Sequence, residues 1–133
     1  DEARADYEEA LYQAPDDIGL YLDKGRLELD AGRPDEARAT ADRALALQPN
    51  HAGARTLRAE ALLVRGDAEA AAEDAGRALE IDPLRAEAFL LRGRAFLARG
   101  LKERAAADLR RAIELRPDLR PAAAPLLAEA ERP

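Results

Sequence analysis

The side chains that could do chemistry are few. No serine and no cysteine occurs, so the hydroxyl nucleophiles are Thr40, Thr56 and the tyrosines Tyr7, Tyr12 and Tyr21. The one histidine, His51, follows Asn50 just after Pro49. A general base or metal ligand there would need a second histidine, a cysteine or a carboxylate cluster close by, and none is near it. His51 therefore reads as an exposed turn residue. The neighbours Glu8–Glu9 and Asp16–Asp17 do not converge on one point. They read as a solvated helix face and a helix cap. Gly93 and Gly100 are separated by a helical stretch, not by a turn, so no phosphate-cradling loop is present. The expectation is a chain with no catalytic residue, no cofactor and no metal, and so not an enzyme.

Composition narrows the rest. Of 133 residues, 36% are charged and 47% hydrophobic, much of that alanine, while aromatics make up 4%. Ala, Leu, Glu and Arg are strong helix formers, so the balance is that of a soluble helical protein. No apolar run approaches the roughly 20 residues that span a bilayer, which excludes membrane insertion by a helix. A net charge of −6 argues against nucleic acid, which would favour a basic face. Without cysteine there is no disulfide framework, and cytoplasm and periplasm fit equally. Positive charge is carried by arginine except at Lys24 and Lys102, which with the many alanines reads as a coding bias and not as chemistry. The chain lacks an initiator Met, and the expectation is a piece of a larger protein.

The elements that must position any site follow from punctuation. Pro15, Pro49, Pro83 and Pro117 recur at one fixed interval, and Gly32, Gly66 and Gly100 keep the same step. So do Ala3, Ala37, Ala71 and Ala105, and Ala10, Ala44, Ala78 and Ala112, while Gly25, Ala59 and Gly93 form a fifth column of small residues. A period of about 34 residues is the mark of a helix–turn–helix solenoid. The glycines end first helices, because they tolerate positive φ. The prolines stop second helices, and Pro34 suits the first turn of one. The expected helices are Asp1–Ala14, Ile18–Ala31, Pro34–Leu47, Ala52–Arg65, Ala68–Ile81, Leu84–Arg99 and Lys102–Leu115. Asp16, Asn50 and Asp118, just after the prolines, are expected N-caps, with Leu84 the exception, and Asp67 caps a second helix. Pro121 and Pro125 do not fit comfortably in one helix, which predicts only a short one over Pro125–Glu131.

In these columns the chain resembles the tetratricopeptide repeat family. The resemblance implies an all-α solenoid of antiparallel helix pairs as a single domain over 1–133. Residues 1–15 form the second helix of a partial repeat, 18–51, 52–85 and 86–119 three full repeats, and 120–133 a capping segment. The partial repeat leaves Tyr7 and Leu11 facing a partner that the N-terminal end does not supply. They are the candidate residues for self-association, in which copies stack end to end.

Bulky residues on first helices (Tyr21, Leu62, Phe89, Phe96) are expected to meet small ones on second helices, as ridges into grooves. Leu45, Leu79 and Ile113, then Leu47, Ile81 and Leu115, are expected in the seam to the next unit. One departure from the family pattern is informative. Lys24, Arg58 and Arg92 stand where an apolar residue is usual, and Thr40, Asp74 and Asp108 follow them at one constant spacing. Arg58 is expected to pair with Asp74 and Arg92 with Asp108 across each unit, as structural charges.

The resemblance also implies a concave groove, lined by the first helices, that binds a partner peptide or helix. Its candidate residues are Leu22, Arg26 and Leu29, then Thr56, Glu60 and Leu63, then Leu90, Arg94 and Leu97, with Gly19, Gly53 and Glu87 flanking one end. Some members clamp the C-terminal carboxylate of heat-shock chaperones. The matching places here hold Leu22, Arg26, Leu57, Glu87 and Leu91, of which only Arg26 is basic, so that clamp is not expected. The partners expected are another protein or peptide, or a second copy of the chain.

Overall fold

A computed structural model describes residues 2–133. Its elements run α1 (Glu2–Gln13), α2 (Ile18–Asp30), α3 (Pro34–Leu47), α4 (Ala52–Val64), α5 (Ala68–Ile81), α6 (Ala86–Ala98), α7 (Lys102–Leu115), a 3-10 turn (Pro117–Leu119) and α8 (Arg120–Ala130). Asp1, the expected start of the first helix, lies outside the described residues.

Small residues and glycine set this order. Gly32, Gly66 and Gly100 all adopt positive φ. At each, the next N–H turns back onto the helix: Arg33 N–H donates to Glu28 C=O at 2.8 Å, Asp67 to Leu62 at 2.9 Å and Leu101 to Phe96 at 2.8 Å. This is the Schellman closure, which satisfies carbonyls that a helix end otherwise leaves open. The turn folds α3 back on α2, α5 on α4 and α7 on α6. Ala37, Ala44, Ala71, Ala78, Ala105 and Ala112 are at most 1% exposed in the seams. Their small side chains let the axes approach, and Leu109 fills the space left at Gly93. Successive pairs then stack, so that α2, α4, α6 and α8 form one layer and touch in sequence.

Several sequence expectations need correction. In α2 and α4 the capping residue lies one place later than expected, and in α6 Arg85 holds that place without a side-chain cap bond. Asp17 Oδ1 accepts the Leu20 N–H at 3.3 Å, and His51 Nδ1 accepts the Ala54 N–H at 3.1 Å. The helices begin at Ile18 and Ala52, so Asp16 and Asn50 sit too early to reach their free N–H groups. Asp118 lies in the 3-10 turn and pairs with Arg116. Asp67 occupies the N-cap but makes no side-chain cap bond. Leu45, Leu79 and Ile113 are buried as expected, whereas Leu47 and Ile81 are 44% and 39% exposed at helix ends.

The last helix holds both prolines. Pro121 stands in its first turn, where no N–H is needed, and Pro125 lies inside. Pro125 removes only the bond to the Pro121 carbonyl, on an exposed face. The opposite face buries Ala123 and Ala130 against α7 with Leu126 and Leu127, and this burial outweighs the loss.

Candidate functional site

Two polar arrangements occupy the helix pairs, one within the units and one across the α2–α4–α6 face. Within units the expected pairs form. Arg58 Nε and Nη2 hold both oxygens of Asp74 at 2.6 and 2.8 Å, and Arg92 holds Asp108 by the same two nitrogens at 2.8 and 3.0 Å. Bidentate geometry makes these strong pairs, and Asp108 raises the Arg92 guanidinium further above its usual value. Such acids are tied to arginine and are poor proton shuttles.

The first unit solves the same problem differently. Lys24, Glu28 and Thr40 are each at most 2% exposed. Lys24 Nζ donates to Glu28 Oε2 at 3.1 Å and to Thr40 Oγ1 at 3.0 Å, and Thr40 donates to Glu28 Oε1 at 2.5 Å. From α1, Arg4 Nε reaches Glu28 at 2.9 Å and Glu8 reaches Lys24 at 2.9 Å. Burial pushes the Glu28 carboxyl up, but hydrogen bonds from Thr40, Arg4 and Lys24 outweigh it and hold the group below its usual range. Sequence reasoning did not foresee this network. Its signal was an acid, Glu28, in the column that holds Leu62 and Phe96.

The self-association candidates separate. Leu11 is 2% exposed and packs with Ile18, Tyr21, Ala44 and Leu45 of its own chain. It faces the seam because α1 docks on α2 as a second helix would. Tyr7 is half-buried and lines an open notch with Ala3, Asp6, Ala10 and Leu20.

The groove candidates separate too. Thr56 is 4% exposed, donates to the Ala52 carbonyl at 2.7 Å and accepts from Arg85 at 2.9 Å, which leaves it no free hydroxyl for a partner. Arg26 and Glu60 close a bidentate pair, both contacts at 2.8 Å. Leu22, Leu29, Leu63, Leu90 and Leu97 are half-buried: part of each packs inward, and part lines the surface. Arg94 borders two clefts. One, of ≈ 260 Å³, adds Glu60, Glu87, Leu90 and Arg116, and the other, of ≈ 310 Å³, adds Leu63, Leu97, Leu126 and Glu129. Among the described residues Arg94 makes no ion pair and no hydrogen bond from its side chain.

A tetratricopeptide repeat family model matches residues 22–84 and 65–120. The chain belongs to the tetratricopeptide repeat family. It is similar to the tetratricopeptide repeat domain of Arabidopsis OM64, at 25% identity over 86% of this chain and 93% of that one, with a TM-score of 0.79. It is also similar to the second such domain of human RPAP3, solved with an HSP70 peptide, SGPTIEEVD, at 25% identity over 85% and 93%, TM-score 0.76. MamA shares the fold at 20% identity over 96% and 84%, TM-score 0.77. No curated protein matches the chain. The tetratricopeptide repeat is a protein-interaction repeat, and among the described residues of this chain no helix is long and apolar enough to cross a membrane.

Proposed function

We propose that this chain is a non-catalytic module that holds a segment of a partner protein along the α2–α4–α6 face, as part of a larger bacterial protein or complex. The observation that carries the proposal is Arg94, a cation with no ion pair among the described residues, set between two clefts walled by Leu63, Leu90 and Leu97. Glu129 also lines one cleft, and Glu60 and Glu87 in the other are already paired with Arg26 and Arg116, so half-buried Arg94 beside these leucines suits an apolar anchor next to an acidic side chain. The human RPAP3 domain binds an acidic peptide, which supports a peptide as the ligand class. The recognition chemistry differs from a terminal-carboxylate clamp. Arg26 is engaged by Glu60, and Leu22, Leu57, Glu87 and Leu91 carry no cation. The acid is therefore internal to the bound segment. The non-catalytic reading rests on how the reactive groups are used, since His51 caps α4 and the Thr40 and Thr56 hydroxyls are bonded.

The test is a pull-down from extract of its own cells, with the native chain beside a Leu90→Glu, Arg94→Glu variant checked for unchanged helicity. A protein retained by the native chain and lost with the variant supports the proposal. A protein retained equally by both overturns it.

A further inference from the structure

A second surface emerges when the groove between α3 and α5 is compared, place by place, with the α5–α7 positions one repeat further along. Between α3 and α5 a groove of ≈ 720 Å³ has Arg58 on its floor. There Arg58 serves two carboxylates. Nε and Nη2 take Asp74, and Nη1 takes Asp42 of the preceding unit at 2.9 Å. Arg92, one repeat further along, takes Asp108 through the same Nε and Nη2. The place of Asp42 is now Gly76. A Cβ built on Gly76 would stand 3.7 Å from Arg92 Nη1, at ordinary contact distance, so this glycine opens directly onto the unused edge of the guanidinium.

The surroundings change with it. Asp42, Asp67 and Glu73 give way to Gly76, Leu101 and Ala107, and Ala70 to Arg104, with Glu80 the one acid gained. Arg55 and Leu62 become Phe89 and Phe96, whose ring centres lie 5.7 and 5.6 Å from Arg92 Cζ. Arg104 lies over Phe96 at 5.9 Å. Arg38 gives way to Ala72 as well, so three acids and two arginines are lost against one acid and one arginine gained: the self-paired lining of the first interval becomes an aromatic, sparsely charged one in which Arg92 keeps an open edge.

We propose that this α5–α7 face is a second protein-docking surface, which takes a partner's Asp or Glu side chain at Arg92 Nη1, beside Gly76 and between Phe89 and Phe96. The occupant is an acidic residue next to an apolar one, because Asp42, the second of the two acids on Arg58, has no counterpart at Arg92, whose Nη1 is left without an acceptor among the described residues while two rings lie against the guanidinium. Charge complementarity favours the carboxylate, and the rings favour an apolar neighbour.

The experiment uses two blocked dipeptides as probes, acetyl-Leu-Glu-amide and acetyl-Leu-Gln-amide, titrated into the whole chain at low salt. The readouts are the NMR signals of Arg92 Nε–H and Gly76 N–H. The proposal expects saturable shifts with the glutamate peptide and binding about tenfold weaker with the glutamine one. Gly76→Asp supplies the missing carboxylate from within and leaves the Arg92–Asp108 pair intact, so it abolishes the response. Arg94→Ala, on the other face, leaves it unchanged, which separates this surface from the groove proposed above. Equal shifts with both peptides, no shift at Arg92, or a response that survives Gly76→Asp would overturn the proposal.

Discussion

The two ends of the solenoid are closed in opposite ways. At the N-terminal end α1 sits over a polar seam, with Lys24, Glu28 and Thr40 buried beneath it and Arg4 and Glu8 reaching in. At the C-terminal end α8 sits on hydrocarbon, with Leu109, Ile113, Ala123, Leu126 and Leu127 in one cluster and Ala105, Ala106 and Ala130 in another. The same columns serve both. Glu28 stands where Leu62 and Phe96 stand, and Thr40 where Asp74 and Asp108 stand. In unit one the acid lies on the first helix of the pair, and in units two and three on the second. The frame is thus set by glycine, proline and the small seam residues. The filling is exchangeable, provided that each buried charge finds its counterpart.

The sharpest way to break that comparison is to remove the acid of unit one. Glu28→Leu copies the residue of unit two but strips Lys24 of its buried partner. The expected cost is about 3–5 kcal/mol in chemical unfolding. Adding Thr40→Asp moves the acid to the place it holds in units two and three. Most of the loss is then recovered, as a strong coupling in the double-mutant cycle. Additive losses would show that the columns are not interchangeable.

A smaller effect comes from acid. Glu8 is held below its usual range by its bond to Lys24, helped by Arg43, and Glu28 is held low by the network around it. A carboxyl with a lowered folded pKa stabilises fully above its ordinary range, and that contribution is lost as pH falls from that range through the lowered folded value. The amides of α1 should therefore lose hydrogen-exchange protection as pH falls below the ordinary carboxylate range and through the lowered values of Glu8 and Glu28, while those of α8 keep theirs. Equal loss at both ends would remove the distinction.

Much of the frame was legible in the sequence. The bounds Pro34–Leu47, Ala68–Ile81 and Lys102–Leu115 were readable because glycine at the turn before each helix and proline just after it act locally. The Arg58–Asp74 and Arg92–Asp108 pairs were readable because their common spacing joins facing positions of one helical hairpin. What escaped depends on contacts between units. The burial of Glu28 needs Arg4 and Thr40 from two other helices, and that of Leu11 needs α1 docked on α2. The burial of Thr56 depends on Arg85, across the next turn. Pro121 and Pro125 argued locally against one helix, and only the burial of Ala123, Leu126 and Leu127 on α7 overrides that.

The central claim is that the α2–α4–α6 face recognises a partner. It is tested most directly by photo-crosslinking in the living cell. One photoreactive residue replaces Leu97, beside Arg94, and in a second variant another replaces Ala39, exposed on α3. The account predicts a crosslink from position 97 to one internal, acidic segment of a partner, and none to that partner from position 39. A partner crosslinked from position 39 and not from 97 would contradict it.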